Sequence, residues 1–138
     1  MGRTRALATV VALVVLTGCA GVKDLQPGKG ASETFTGRGY DDVWAAAIRV
    51  TSEHFKITAT DKPGGIIRAE REVQLTSLGE YVGVFITPST PGAASYRVEV
   101  VSRKKVPTQT QASVQAWETK ILREMRDVLA GRPLPPRL

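Results

Sequence analysis

The sequence predicts an α+β domain, an antiparallel sheet of four to five strands with two helices packed on one face. Two stretches, Asp41 to His54 and Thr110 to Ala130, repeat apolar residues at three- and four-residue steps, the pattern of a helix with one buried side. Between them, Phe55–Thr60, Ile66–Val73, Tyr81–Thr87 and Tyr96–Val100 alternate or run apolar as strands do. Strands in succession between two amphipathic helices imply helices laid on a sheet. The size fits: 138 residues, 42% hydrophobic and 23% charged, is ordinary usage for one modest core.

The chain begins with a leader. Arg3 and Arg5 supply positive charge, Ala6 to Leu16 are apolar, and the small residues Thr17 and Gly18 precede the only cysteine, Cys19. That order is a secretion signal over residues 1–18, with cleavage between Gly18 and Cys19. An uncleaved anchor is the alternative, because Ala6 to Val22 is a run of seventeen uncharged residues. That is at the lower limit for a spanning helix, and the small residues at 17–21 favour cleavage.

Leu16-Thr17-Gly18-Cys19 resembles the lipobox of bacterial lipoproteins. The resemblance implies that the Cys19 thiol takes a diacylglycerol, that the new amino terminus is acylated with a fatty acid such as palmitate, and that the mature chain is held in a membrane. Ala20, in place of the Asp that favours inner-membrane retention in that family, implies the outer membrane facing the periplasm. A lone cysteine in an exported chain must be free, shared or modified, and no disulfide within the chain is possible.

Residues 19–36 are expected to form the lipidated N-terminus and a tether. Ala20 to Ser32 shows no apolar period and carries Gly21, Pro27, Gly28 and Gly30, the composition of a flexible linker with an average reach of roughly 20 Å. Glu33 to Gly37 has the alternation of an edge strand.

The α+β domain is expected over 37–131. Tyr40, Val43/Trp44, Ala47/Ile48, Thr51 and Phe55 share one face of the first helix, and Asp41 and Asp42 suit its start as caps and as charges at the positive end of the helix dipole. Asp61-Lys62-Pro63-Gly64-Gly65 is a tight connection between the first two strands of the meander. Tyr81–Thr87 is apolar on both faces and therefore central. Arg103-Lys104-Lys105 ends the last strand ahead of Pro107. Val114, Trp117, Ile121, Met125 and Val128 mark the buried face of the second helix, with Gly131 as its C-cap. Residues 132–138 form a proline-rich tail. Trp44 and Trp117 are expected to face the sheet.

This order of elements, with the Asp42-Val43-Trp44 and Gly64-Gly65-Ile66-Ile67 stretches, resembles small envelope lipoprotein domains, among them the C-terminal modules of the outer-membrane assembly lipoprotein C. The resemblance spans about residues 38 to 130 and carries over no catalytic or binding residue.

Candidate chemistry is sparse. His54 is the only histidine, at the predicted end of the first helix, with no second His, no Cys available once Cys19 is lipidated, no Asp or Glu at a metal-ligand spacing and no local sign of a base–nucleophile pair. No serine stands in Gly-x-Ser-x-Gly, and Pro63-Gly64-Gly65 lacks the Lys-Ser/Thr of a phosphate loop. Glu70 and Glu72 share a strand face with Arg68, read as a solvated face. Arg103-Lys104-Lys105 is read as protection of a strand edge, with lipid headgroups as the alternative.

No catalytic residue, metal or cofactor is therefore assigned. The formal charge is +6, falling to +4 without Arg3 and Arg5, a mild excess, and an exported chain does not meet nucleic acid. The expected partners are the membrane, through acyl chains on Cys19, and an envelope protein or glycan. The expected function is a membrane-anchored, non-enzymatic interaction domain. The alternative is a small-molecule or lipid-binding module using a hollow between helices and sheet, lined by Tyr81, Phe85 and Tyr96.

Overall fold

The computed structural model describes residues 21–75, 78–106 and 112–135, apart from the side chains of Lys23 and residues 112–116. The leader, Gly18, Cys19, Ala20, Pro107, Thr110, the Val114 side chain and the tail from Pro136 lie outside the described residues.

The chain folds as an α+β domain with the elements β1 (Ala31–Thr36), α1 (Tyr40–His54), β2 (Lys56–Asp61), β3 (Ile66–Arg71), β4 (Glu80–Pro88), β5 (Ser95–Lys104) and α2 (Ala112–Leu129). The five strands form one sheet in the order β1-β5-β4-β3-β2, and every neighbouring pair is antiparallel. β2 to β5 is a meander. The edge strand expected at Glu33–Gly37 is β1, which pairs with the last strand of the meander from Ala31↔Val100 to Thr36↔Ser95.

Both helices pack on one face. Val82, Val84 and Ile86 of β4, Val98 and Val100 of β5, and Ile67 and Ala69 of β3 meet Val43, Ala47 and Val50 of α1 and Ile121, Leu122 and Met125 of α2. Trp44 and Trp117 lie at the margin of this core, partly buried.

The helix ends differ in chemistry. Gly39 precedes α1 and makes no side-chain cap, so Asp41 and Asp42 do not cap it. Both sit inside the first turn, at the positive end of the dipole, and Asp41 pairs with Lys62 at 2.8 Å. At the end of α2, Gly131 (φ +77°) donates to the Val128 carbonyl at 3.0 Å and Arg132 to that of Asp127 at 2.8 Å. This is the Schellman arrangement, as expected of a glycine there.

The two ends of the sheet are distinct. One end carries the β2–β3 turn, the β4–β5 loop and the start of α1; Gly37 donates to Ala94 across it at 2.8 Å. The other carries the end of β3, the start of β4 and the end of β5, where Glu80 pairs with Arg71 on one side and Lys104 on the other.

Ile67 has no exposed surface, so Ile67→Ala should lower unfolding free energy in urea by about 2–5 kcal/mol. Thr87→Ala, at an exposed position of β4, should change it by less than about 0.5 kcal/mol.

Candidate functional site

β4 is apolar on both sides, and its second side is also covered. Leu25, only 4% exposed, packs on Phe85 and Val101, with Val22, Ile66 and Tyr81 around it. A single 3₁₀ turn, Val22–Asp24, brings Leu25 down onto the sheet. Gly83 leaves room beneath: a Cβ there would stand 3.4 Å from the Leu25 Cβ and 3.0 Å from the Phe85 ring.

Polar contacts fix the rest of this segment. Arg68 Nη1 donates to the carbonyls of Val22 at 2.8 Å and Leu25 at 3.1 Å. Arg103 Nη2 donates to the Gly21 carbonyl at 2.9 Å. Glu99, 7% exposed, accepts the amides of Gly28 and Gly30 on one carboxylate oxygen, the latter at 3.0 Å. Gly30 runs so close to β5 that a Cβ there would lie 2.0 Å from the Val100 carbonyl oxygen. The segment read as a free tether is thus docked from Gly21 to Gly30. Its two larger apolar residues, Val22 and Leu25, make too short a pattern to register as an element.

The face expected to be solvated is therefore the face this segment covers. Arg68 and Glu70 are half-buried on it, and the Arg68 guanidinium also stands 5.9 Å from the Phe85 ring centre.

The cluster Arg103-Lys104-Lys105 ends β5 past Val100, where β1 no longer pairs and only β4 flanks the strand. Arg103 holds Gly21 and lies over Tyr81, and Lys105 binds Glu70 at 3.0 Å and Glu72 at 3.4 Å. Burial pulls the Lys105 ammonium down, but hydrogen bonds and charge from the two carboxylates outweigh it, and its pKa lies above the ordinary lysine value.

Ahead of the first residue of β1, a carboxylate takes over the ladder. Glu118 of α2, 6% exposed, accepts the Ala31 amide on Oε2 at 3.0 Å. On Oε1 it accepts the Ser102 amide at 2.8 Å and hydroxyl at 3.1 Å. Further along, Arg126 makes a two-pronged contact with Glu33 at 2.8 and 2.6 Å, which holds the guanidinium above its usual range. These pairs weld α2 to the β1–β5 edge.

His54 sits at the end of α1, as expected, and Nε2 meets Glu124 Oε2 of α2 at 2.7 Å. Trp117 lies beside it at 5.2 Å between ring centres, with the Arg71 and Lys120 cations 5.0 and 4.9 Å from the indole. Glu124 is 1% exposed. This geometry lets His54 join the two helices. A cleft of about 240 Å³ lies against Ala59, Thr60, Asp61, Ile66 and Arg68, and another of about 270 Å³ lies beside α1 and α2.

The aromatic lining suggested for a ligand hollow is not assembled. Tyr81 and Phe85 face the docked segment, while Tyr96 packs with Tyr40 near α1 at 5.4 Å. Among the described residues no three His, Cys, Asp or Glu side chains converge as a metal site, and no helix is long and apolar enough to cross a membrane. Sequence reasoning missed Glu99, Glu118 and Glu124. For the last two a signal exists, because each falls within the apolar stripe of α2, beside Trp117 and Met125.

Compared with protein-family models and with curated proteins, the chain matches none.

Glu99→Ala should cost about 1.5–3 kcal/mol, the range for hydrogen bonds to a charged group, and should speed hydrogen exchange at the Gly28 and Gly30 amides measured by NMR. The Lys105 contribution should be complete below the ordinary value of 10.5 and vanish as pH rises through the raised folded value. Tyr40, raised by burial against the pull of Lys62 and with the help of Asp61 and Asp41, adds an alkaline loss of the same sign. Unfolding free energies measured over about pH 9 to 12 should fall less steeply in Lys105→Met than in the wild type.

Proposed function

We propose that this chain is a bacterial envelope lipoprotein anchored through acyl chains on Cys19, with a non-enzymatic domain that binds another envelope component, a protein or a glycan. The observation that carries the reading is the run Leu16-Thr17-Gly18-Cys19 behind an apolar leader, with Cys19 the only cysteine in the chain. Ala20 favours the outer membrane, facing the periplasm. Each buried methylene contributes about 0.8 kcal/mol, so one acyl chain holds marginally and two or three hold for practical purposes.

The binding reading is supported by how the reactive side chains are spent. His54 and Glu124 join the helices, Glu118 splices the sheet edge, and Glu99 holds the N-terminal segment. An anchor raises the domain's effective concentration beside membrane partners, so weak contacts suffice. The alternative, a small-molecule or lipid-binding module, would draw on the cleft beside α1 and α2, where Arg38 and Arg49 flank Val128 and Leu129. At about 270 Å³ it falls just below the roughly 300 Å³ at which ligand pockets begin.

Labelled palmitate should enter the wild type and not Cys19→Ala, and the mature mass should begin at residue 19. Crosslinking in intact cells should capture a partner that the Cys19→Ala chain loses. A cytosolic chain with its leader intact and its thiol bare would contradict the anchor. Copurified lipid or ligand detected by mass spectrometry would favour the alternative.

A further inference from the structure

Four large apolar side chains stand exposed among the described residues, and all four are at one end of the sheet: Val73 (52%), Leu75 (108%), Leu78 (40%) and Val106 (41%). Three come from the connection between β3 and β4, and the fourth follows β5. These two chain segments touch. Lys105 donates its amide to the Gly79 carbonyl at 3.1 Å, and a Cβ on Gly79 would lie 3.0 Å from the Val73 nitrogen. Scattered surface apolar residues are ordinary, but four gathered at one end of a sheet mark a contact surface.

The docked N-terminal segment leads to the same end. Traced backwards, it contacts Glu99 at Gly28 and Gly30, packs over Gly83 and Val101 at Leu25, and meets the Arg103 guanidinium at Gly21. Its contacts on β5 thus step towards Lys104, while the Val22 and Leu25 carbonyls cross to Arg68 of β3. Cys19 is two residues before Gly21, and two residues of extended chain span at most about 7 Å.

We propose that the Val73–Leu75–Leu78–Val106 tip is a bilayer-contact surface, inserted into the lipid that holds the Cys19 acyl chains. This rests on the acylation proposed above. The occupant is lipid rather than a protein because an acylated Cys19 lies within about 7 Å of Gly21, whose carbonyl is held by Arg103 near the same end of β5. Insertion, rather than electrostatic adsorption, is the mode: around the tip Arg71 pairs with Glu80 and Lys105 with Glu70 and Glu72, and with Arg103 and Lys104 counted the local excess is a single positive charge. The domain therefore stands with this end of its sheet down and its β4–β5 loop farthest from the membrane.

The test uses the full acylated chain in phosphatidylcholine vesicles, where the modified Cys19 leaves an introduced cysteine as the one reactive thiol. A nitroxide is placed at Leu75→Cys, at Val106→Cys and, as reference, at Thr90→Cys in the β4–β5 loop; all three positions are exposed. Power saturation should show the two tip labels accessible to oxygen and shielded from a water-soluble nickel chelate, by several-fold relative to Thr90, with little change between low and high salt. Tip labels as open to nickel as Thr90, on protein that mass spectrometry shows to be acylated and that floats with vesicles, would overturn the insertion while leaving the anchor standing. Tip labels shielded from both reagents would overturn it too, in favour of a protein covering the tip. A chain without acyl mass that fails to float would overturn the anchor and the insertion together.

Discussion

β4 presents apolar side chains on both faces, and a central strand of that kind needs cover on both. Val82, Val84 and Ile86 point to the helices, and Phe85, with Val101 beside it in β5, points the other way. Two helices cover one layer. The other is closed by Leu25 and its neighbours, a ten-residue strip with one 3₁₀ turn. Full burial of a leucine is worth about 1.5–3 kcal/mol, comparable with the hydrogen bonds that Arg68, Arg103 and Glu99 add around it. The strip is thus a third layer of the fold held by a few contacts, rather than a cord between the fold and something else.

Three buried carboxylates stand where regular pairing runs out. β1 begins opposite Val100, so the remainder of β5 lacks a strand on that side, and Glu118 supplies acceptors there. Gly28 and Gly30 approach β5 without joining the ladder in full, and Glu99 takes their amides. Glu124 meets the histidine that ends α1. At Ser102 a buried amide would otherwise stay unpaired at a cost of about 1–3 kcal/mol, while the Gly30 and Ala31 amides and the His54 ring are part-buried. These acids read as joints between elements, which explains their burial without any catalytic demand.

The docked strip also changes what an anchor at Cys19 means. A linker of some thirteen residues lets a domain drift roughly 20 Å from its membrane; two residues leave about 7 Å. Under the proposed acylation the domain becomes a body of fixed tilt, with one set of loops against lipid and the opposite set presented outward. Partner choice then depends on orientation as much as on affinity, since only outward-facing surfaces meet soluble components.

The helices and the four strands of the meander were legible in the sequence because their evidence is local: apolar residues repeat at 3.6 or 2 within each stretch, and Gly64-Gly65 and Gly131 punctuate them. The Cys19 motif is local too, and stands on residues 16–19 alone. The N-terminal strip was not legible. Val22 and Leu25 lie among glycines, a proline and charges, a composition shared with true linkers, and only the bare side of β4 and β5, assembled from residues some sixty to eighty positions away, decides that they dock. The same holds for Glu99 and Glu118, whose partners are amides that exist as unpaired groups only after the sheet has chosen its register. Periodicity is set by neighbours along the chain, whereas cover for a face and acceptors for an edge are set by what the finished sheet leaves exposed.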